Sequence, residues 1–76
     1  MQTEQILRIV RIYLRIKQTD LATKLGITVT NIKRAELNQR MFTAEENIKV
    51  KAYLKTLPVK IDEVHDEVIL HFPKTI

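Results

Sequence analysis

Apolar residues in this chain keep a helical spacing as far as about Leu57 and change it from Val59, and the change marks a new kind of element. Leu7, Val10 and Leu14 recur three and four residues apart, which predicts a first helix over residues 3–16. Thr3 is its candidate N-cap, and Glu4 sits favourably in the opening turn. Ile6, Ile9 and Tyr13 form a second stripe, widened by Ile12 and Ile16. A surface helix normally keeps one polar side. This helix is therefore expected to be covered on more than one side, either by the C-terminal segment or by a partner protein. For the partner, Ile6, Ile9 and Tyr13 are the candidate interface residues.

Two short helices are predicted next. Leu21, Ala22 and Leu25 form the inner face of the first, which ends at Gly26, the one glycine of the chain. Glycine enters the left-handed conformation without steric cost. Ile27 is expected to turn inward and Thr28 to cap the following helix. In that helix Ile32 and Ala35 face the core, leaving Val29, Thr30, Lys33 and Arg34 on the outer face. Asn38 suits the turn that follows, and Met41 and Phe42 are expected to anchor the next loop in the core. Thr43 and Glu46 form a capping-box signature for a helix from Ala44 to about Leu57, stopped by Pro58. Its buried side is expected to carry Ile48, Val50, Ala52, Leu54 and Leu57, with Lys49, Lys51 and Lys55 solvated.

From Val59 the period shortens. Val59–Asp62 alternates and Val68–Phe72 is β-branched and aromatic, which predicts a hairpin joined through Val64 to Glu67. A fifth helix over 62–72 is the competing reading, because the turn lacks Gly and Asn. The fold class expected is thus mainly α, about four helices with a C-terminal β-hairpin or extended segment. Residues 1–58 form the helical part. Residues 59–76 form a segment that packs on it or mediates self-association, since a lone hairpin is not stable.

Composition narrows the chemistry. A chain of 76 residues without cysteine makes one small domain with neither disulfides nor a Cys-based zinc site. No signal peptide or membrane span is read, and the location expected is cytoplasmic. His65 and His71 stand six apart without further ligand spacing, so no metal is expected. The acids at 62, 63, 66 and 67 lack a nucleophile or phosphate loop beside them. The chain is read as a non-enzyme with no cofactor and no small-molecule substrate. The net charge of +4 is uneven: residues 1–42 hold eight Lys/Arg against three acids, whereas 43–76 hold five against six. A basic surplus on one half is what attraction to phosphate requires.

The run Gln18-x-x-Leu21-Ala22-x-x-Leu25-Gly26-Ile27-Thr28, followed by Ile32 and Glu36, resembles the helix-turn-helix of the Cro/repressor (XRE-like) family of phage and bacterial transcriptional regulators. The resemblance spans roughly residues 7–57. It implies that Gln18 touches a DNA phosphate and that Thr28, Val29 and Thr30 read bases, helped by Lys33 and Arg34. It implies backbone contacts from Asn38, Gln39 and Arg40 in the following loop, and an ion pair between Arg11 and Glu36. Lys17 stands where relatives carry a capping Ser or Asn. The partner implied is double-stranded DNA, bound by a homodimer across half-sites about 34 Å apart.

The second function weighed is a protein-binding modulator, an antirepressor or co-repressor. It would keep the fold and bind another phage regulator, such as a repressor, through the first helix or the C-terminal segment. An antitoxin is the third, disfavoured because little chain remains to wrap a toxin.

Overall fold

The computed structural model describes residues 2–73. It contains α1 (Thr3–Tyr13), α2 (Gln18–Leu25), α3 (Val29–Glu36), α4 (Ala44–Leu54), β1 (Lys60–Val64) and β2 (Glu67–His71). The fold is mainly α with a C-terminal antiparallel hairpin, as the periodicity implies. Residues 74–76 of the C-terminal segment lie outside the described residues.

Three left-handed residues decide where the first three helices stop. After α1, Arg15 adopts φ 57°, and the Arg15 and Ile16 N–H groups return to the Ile12 and Arg11 carbonyls at 3.2 and 2.9 Å. Gly26 at φ 66° ends α2, with Ile27 N–H donating to the Ala22 carbonyl at 3.1 Å. Asn38 at φ 61° ends α3, with Asn38 and Gln39 N–H groups donating to Ala35 and Arg34 at 3.2 and 2.9 Å. Each closes a Schellman-type end that satisfies otherwise orphaned carbonyls. Gly26 and Asn38 fit the sequence reading; Arg15 corrects it. An arginine is a poor left-handed residue, so nothing local announced that α1 stops at Tyr13 rather than at residue 16. Gln2, not Thr3, occupies its N-cap, and no side chain caps it.

The core centres on Leu7, Val10, Leu21, Ile32 and Val50, all fully buried. α1 packs against α3 and α4, and α2 against α3 and α4. Phe42 is buried as expected, but Met41 is 67% exposed. The anchor of that loop is instead polar: buried Glu4 accepts the Phe42 backbone N–H at 2.7 Å. Thr43 and Glu46 form the capping box with bonds of 3.1 and 3.0 Å. α4 ends at Leu54, three residues before the expected Leu57, and only Val50 and Leu54 are buried on it. Ile48 is 71% exposed and Ala52 is exposed, because one helical stripe cannot place both 48/52 and 50/54 inward.

The hairpin pairs Lys60–Val64 with Glu67–His71, closing on Val64 opposite Glu67. His65 and Asp66 both have positive φ, 50° and 66°. That is the type I′ turn whose twist matches the strands, formed here without Gly or Asn, and it removes the fifth helix over 62–72. Val59, Ile61, Val68, Leu70 and Phe72 pack against the helical core. The Tyr13 ring stacks on Phe72 with centroids 3.9 Å apart. The C-terminal segment thus covers part of the second stripe of α1. Ile6 lies in the core itself and is withdrawn as an interface residue; Ile9, Ile12 and Tyr13 stay partly exposed.

Candidate nucleic-acid interface

The pair α2–α3, joined by the turn Gly26–Thr28, is held from behind by a polar clamp. Arg11 Nε and Nη2 donate to Glu36 Oε2 and Oε1 at 2.6 and 2.7 Å, and Arg11 Nη1 donates to the Ile16 carbonyl at 2.9 Å. Glu36 is buried although charged, and its position at the end of α3 is fixed by a side chain of α1. Gln18, the first residue of α2, adds a bond from Nε2 to Glu36 Oε1 at 3.1 Å. One carboxylate therefore ties together α1, α2 and α3. A bidentate, charge-assisted contact of this kind fixes orientation as well as distance.

The two sides of α3 differ in burial. Ile32 and Ala35 are buried, whereas Thr28, Thr30, Lys33 and Arg34 are exposed. Thr28 caps the helix, its Oγ1 accepting the Asn31 N–H at 3.2 Å, which uses one lone pair and leaves the hydroxyl proton and the second lone pair for an outside partner. Val29, expected on the outer face, is half-buried and packs against the core. The Gly26 turn draws the first turn of α3 down onto α2, and Val29 lines the shallow hollow there with Ala22 and Ile27. What it presents outward is a methyl edge rather than a whole side chain.

Other expected contact residues are already engaged. Gln18 is half-buried and committed to Glu36, so its amide is not a freely projecting phosphate ligand. Asn38 Oδ1 accepts from Gln5 Nε2. Arg40 Nη2 meets Glu46 Oε1 at 2.9 Å, while its Nη1 is enclosed without a partner. Arg40 must release Glu46 before it can reach a phosphate. Gln39 is exposed. Lys17 occupies the N-cap of α2 and supplies no side-chain cap, which leaves the first N–H groups of that helix open.

Arg8 was not singled out by the sequence reading. It lines a cleft of about 340 Å³ with Arg11, Ile12, Gln18, Lys33, Glu36 and Leu37. Arg8, Arg11 and Arg15 recur three and four apart, a basic stripe visible in the sequence but obscured by the apolar residues between. Arg8 of α1 and Lys33 of α3 thus line the same cleft as the clamp. A second hollow of about 610 Å³, lined among others by Glu4, Ile6, Lys51, Leu54 and Ile61, shares no residue with this cleft.

Among the described residues no group of three or more His, Asp or Glu is placed to hold a metal. None of the described helices is long and apolar enough to cross a membrane. Comparison of the chain with protein-family models, with characterised proteins and with solved structures gives no match.

Proposed function

We propose that the protein is a sequence-specific, DNA-binding transcriptional regulator of Cro/repressor type, acting in a phage or prophage genetic switch in the cytoplasm. α2 and α3 serve as a helix-turn-helix, with α3 entering the major groove. The observation that carries the reading is the division of α3. Thr30, Lys33 and Arg34 project into solvent from a helix whose opposite side is buried and whose end is clamped by Arg11. A short, rigid, cationic helix face suits a groove that is about 12 Å wide and lined with guanine acceptors.

In this reading Lys33 and Arg34 donate to guanine O6 and N7, and Thr30 donates to or accepts from a base edge. The exposed edge of Val29 meets a thymine methyl. Arg8, Lys17 and Gln39 neutralise or bond phosphates, joined by Arg40 once it leaves Glu46; such contacts set register and carry the salt dependence. Gln18 positions α2 through Glu36 rather than gripping phosphate with a free amide. The test is selection of bound sites from random duplexes, then titration of the best site. Enrichment of a defined half-site, lost when Lys33 and Arg34 are both changed to alanine, is the expected result. Recovery of no preferred sequence would overturn the reading.

The partly exposed Ile9, Ile12 and Tyr13 on α1 favour a second reading, a modulator that binds another regulator through this helix. An Ile9→Asp change then abolishes co-purification with that partner and leaves DNA affinity unchanged.

A further inference from the structure

The hollow of about 610 Å³ is walled by the start of α1, by α4 and by β1, and no residue of α3 lines it. Two polar side chains of its lining meet at Phe42. Glu4 Oε2 accepts the Phe42 N–H at 2.7 Å, and Asn47 Nδ2 donates to the Phe42 carbonyl at 3.5 Å. Each has a second oxygen to spare. Glu4 is only 4% exposed, yet among the described residues no cation pairs with it and its Oε1 accepts no hydrogen bond. Asn47 Oδ1 is enclosed there without a partner. A buried carboxylate is ordinarily met by a cation or by several donors. This end of the hollow is therefore negative and uncompensated.

Further along α4 the sign reverses. Lys51 and Lys55 line the hollow, about 6 and 12 Å beyond Asn47 along the helix axis. Both are exposed, and neither forms an ion pair among the described residues. The β1 wall adds exposed Glu63. Two carboxylates against two ammonium groups make the lining neutral in sum, so a ligand carrying both signs is matched and one with a net charge is not. The surface between the charges is apolar. Ile6 and Leu54 are buried, and Met41 lies beside them with 67% of its surface open. A methionine side chain adapts its shape to an apolar guest.

We propose that this hollow binds a short apolar peptide with free ends, two or three residues long. Its ammonium group donates to Glu4 Oε1, its carboxylate is held by Lys51 and Lys55, and its side chains cover Ile6, Leu54 and Met41. An extended chain of that length spans roughly 7–10 Å, which ends between the two lysines. A single amino acid carries both charges on one carbon and fills little of a hollow in the size range of small-molecule sites. A fatty acid would suit the lysines and leave Glu4 bare, and an apolar amine would do the reverse. This site does not depend on the DNA-binding reading, and it is measured without DNA.

The test is a titration of the full chain followed by backbone amide chemical shifts. The probes are leucyl-leucine and leucyl-alanyl-leucine, each free, N-acetylated and C-amidated. Saturable shifts at Glu4, Lys51, Leu54 and Ile61 are expected from at least one free peptide. Either cap is expected to weaken binding about tenfold, because one charge-assisted bond is lost. Glu4→Gln keeps an acceptor for the Phe42 N–H and is expected to erase the difference between free and acetylated peptide. Lys51→Ala/Lys55→Ala is expected to erase the difference between free and amidated peptide. If Glu4→Gln loses the fold, the lysine pair decides by itself, since both positions are exposed. No saturation by either free peptide up to about 10 mM, equal binding of free and capped forms, or shifts confined to other faces of the domain would each overturn the assignment. So would a folded variant that tells the caps apart as the wild type does.

Discussion

Arg11 reaches across 25 residues of sequence to grip Glu36 with two hydrogen bonds of 2.6 and 2.7 Å. The two side chains retain only 16% and 5% exposure, so this is a largely desolvated pair holding α3 to α1. Removing one partner leaves the other charge buried and uncompensated. Arg11→Met is therefore expected to cost about 3–5 kcal/mol, much of the stability of a small domain. Arg11→Met combined with Glu36→Leu is expected to recover most of that loss. Urea titrations of the two single variants and the double complete the cycle. Additive costs would show that the two residues do not act as a unit.

Lys33 and Arg34 are exposed on α3, so replacing them should spare the fold and cost affinity. Each alanine change is expected to lose roughly 1–3 kcal/mol on a selected site where the side chain reads a base. Arg8→Ala, by contrast, should weaken all duplexes alike and lower the slope of log affinity against log salt by about 1. Gel-shift or anisotropy titrations at several salt concentrations separate the two behaviours. Unchanged affinity in both α3 variants would remove α3 from the DNA interface.

Arg15 holds φ 57° at the end of α1, where a side chain is strained and glycine is not. Arg15→Gly is expected to raise stability by about 0.5–1 kcal/mol, the relief of strain outweighing the added freedom of the unfolded chain. Thermal melting with and without the change checks the direction. A fall in melting temperature would mean that Arg15 contributes more through its side chain than its backbone conformation costs.

Burial alone would push the Glu46 carboxyl up. The Thr43 backbone N–H and the Arg40 guanidinium outweigh it and hold the pKa below the ordinary value of 4.5. A carboxylate with a depressed folded pKa stabilises the protein above its unfolded value, and that contribution is lost as pH falls through the folded one. Wild type is accordingly expected to exceed Glu46→Gln in stability at neutral pH, with the gap closing below about 4.5. Denaturation midpoints of both proteins across the acid range measure it. A gap that stays constant with pH would assign the effect to packing rather than charge.

Local rules made most of the helical frame legible. Gly26 and Thr28 mark the α2–α3 turn by themselves, since one supplies the left-handed stop and the other the cap. Thr43 and Glu46 likewise announce the start of α4 without help from the rest of the chain. Where the sequence misled, a side chain on another element decided the outcome. Met41 looked like a core anchor, yet a carboxylate from α1, Glu4, fixes that loop through the Phe42 N–H. Arg40 looked free for phosphate, yet Glu46 holds it.

What the sequence by itself determined is the order of the four helices and the split of α3 into an aliphatic and a cationic side, while strands and a fifth helix both stayed open beyond Val59 until the His65–Asp66 turn chose the hairpin. The helices and that split follow from periodicity and caps, which act over a few residues. The tertiary structure alone decided that Gln18 serves the Arg11–Glu36 clamp and that Ile6 is core while Ile48 is surface. Polar side chains have several partners within reach, and only packing selects one. Among stripes of equal hydrophobicity, the neighbouring element chooses which is buried.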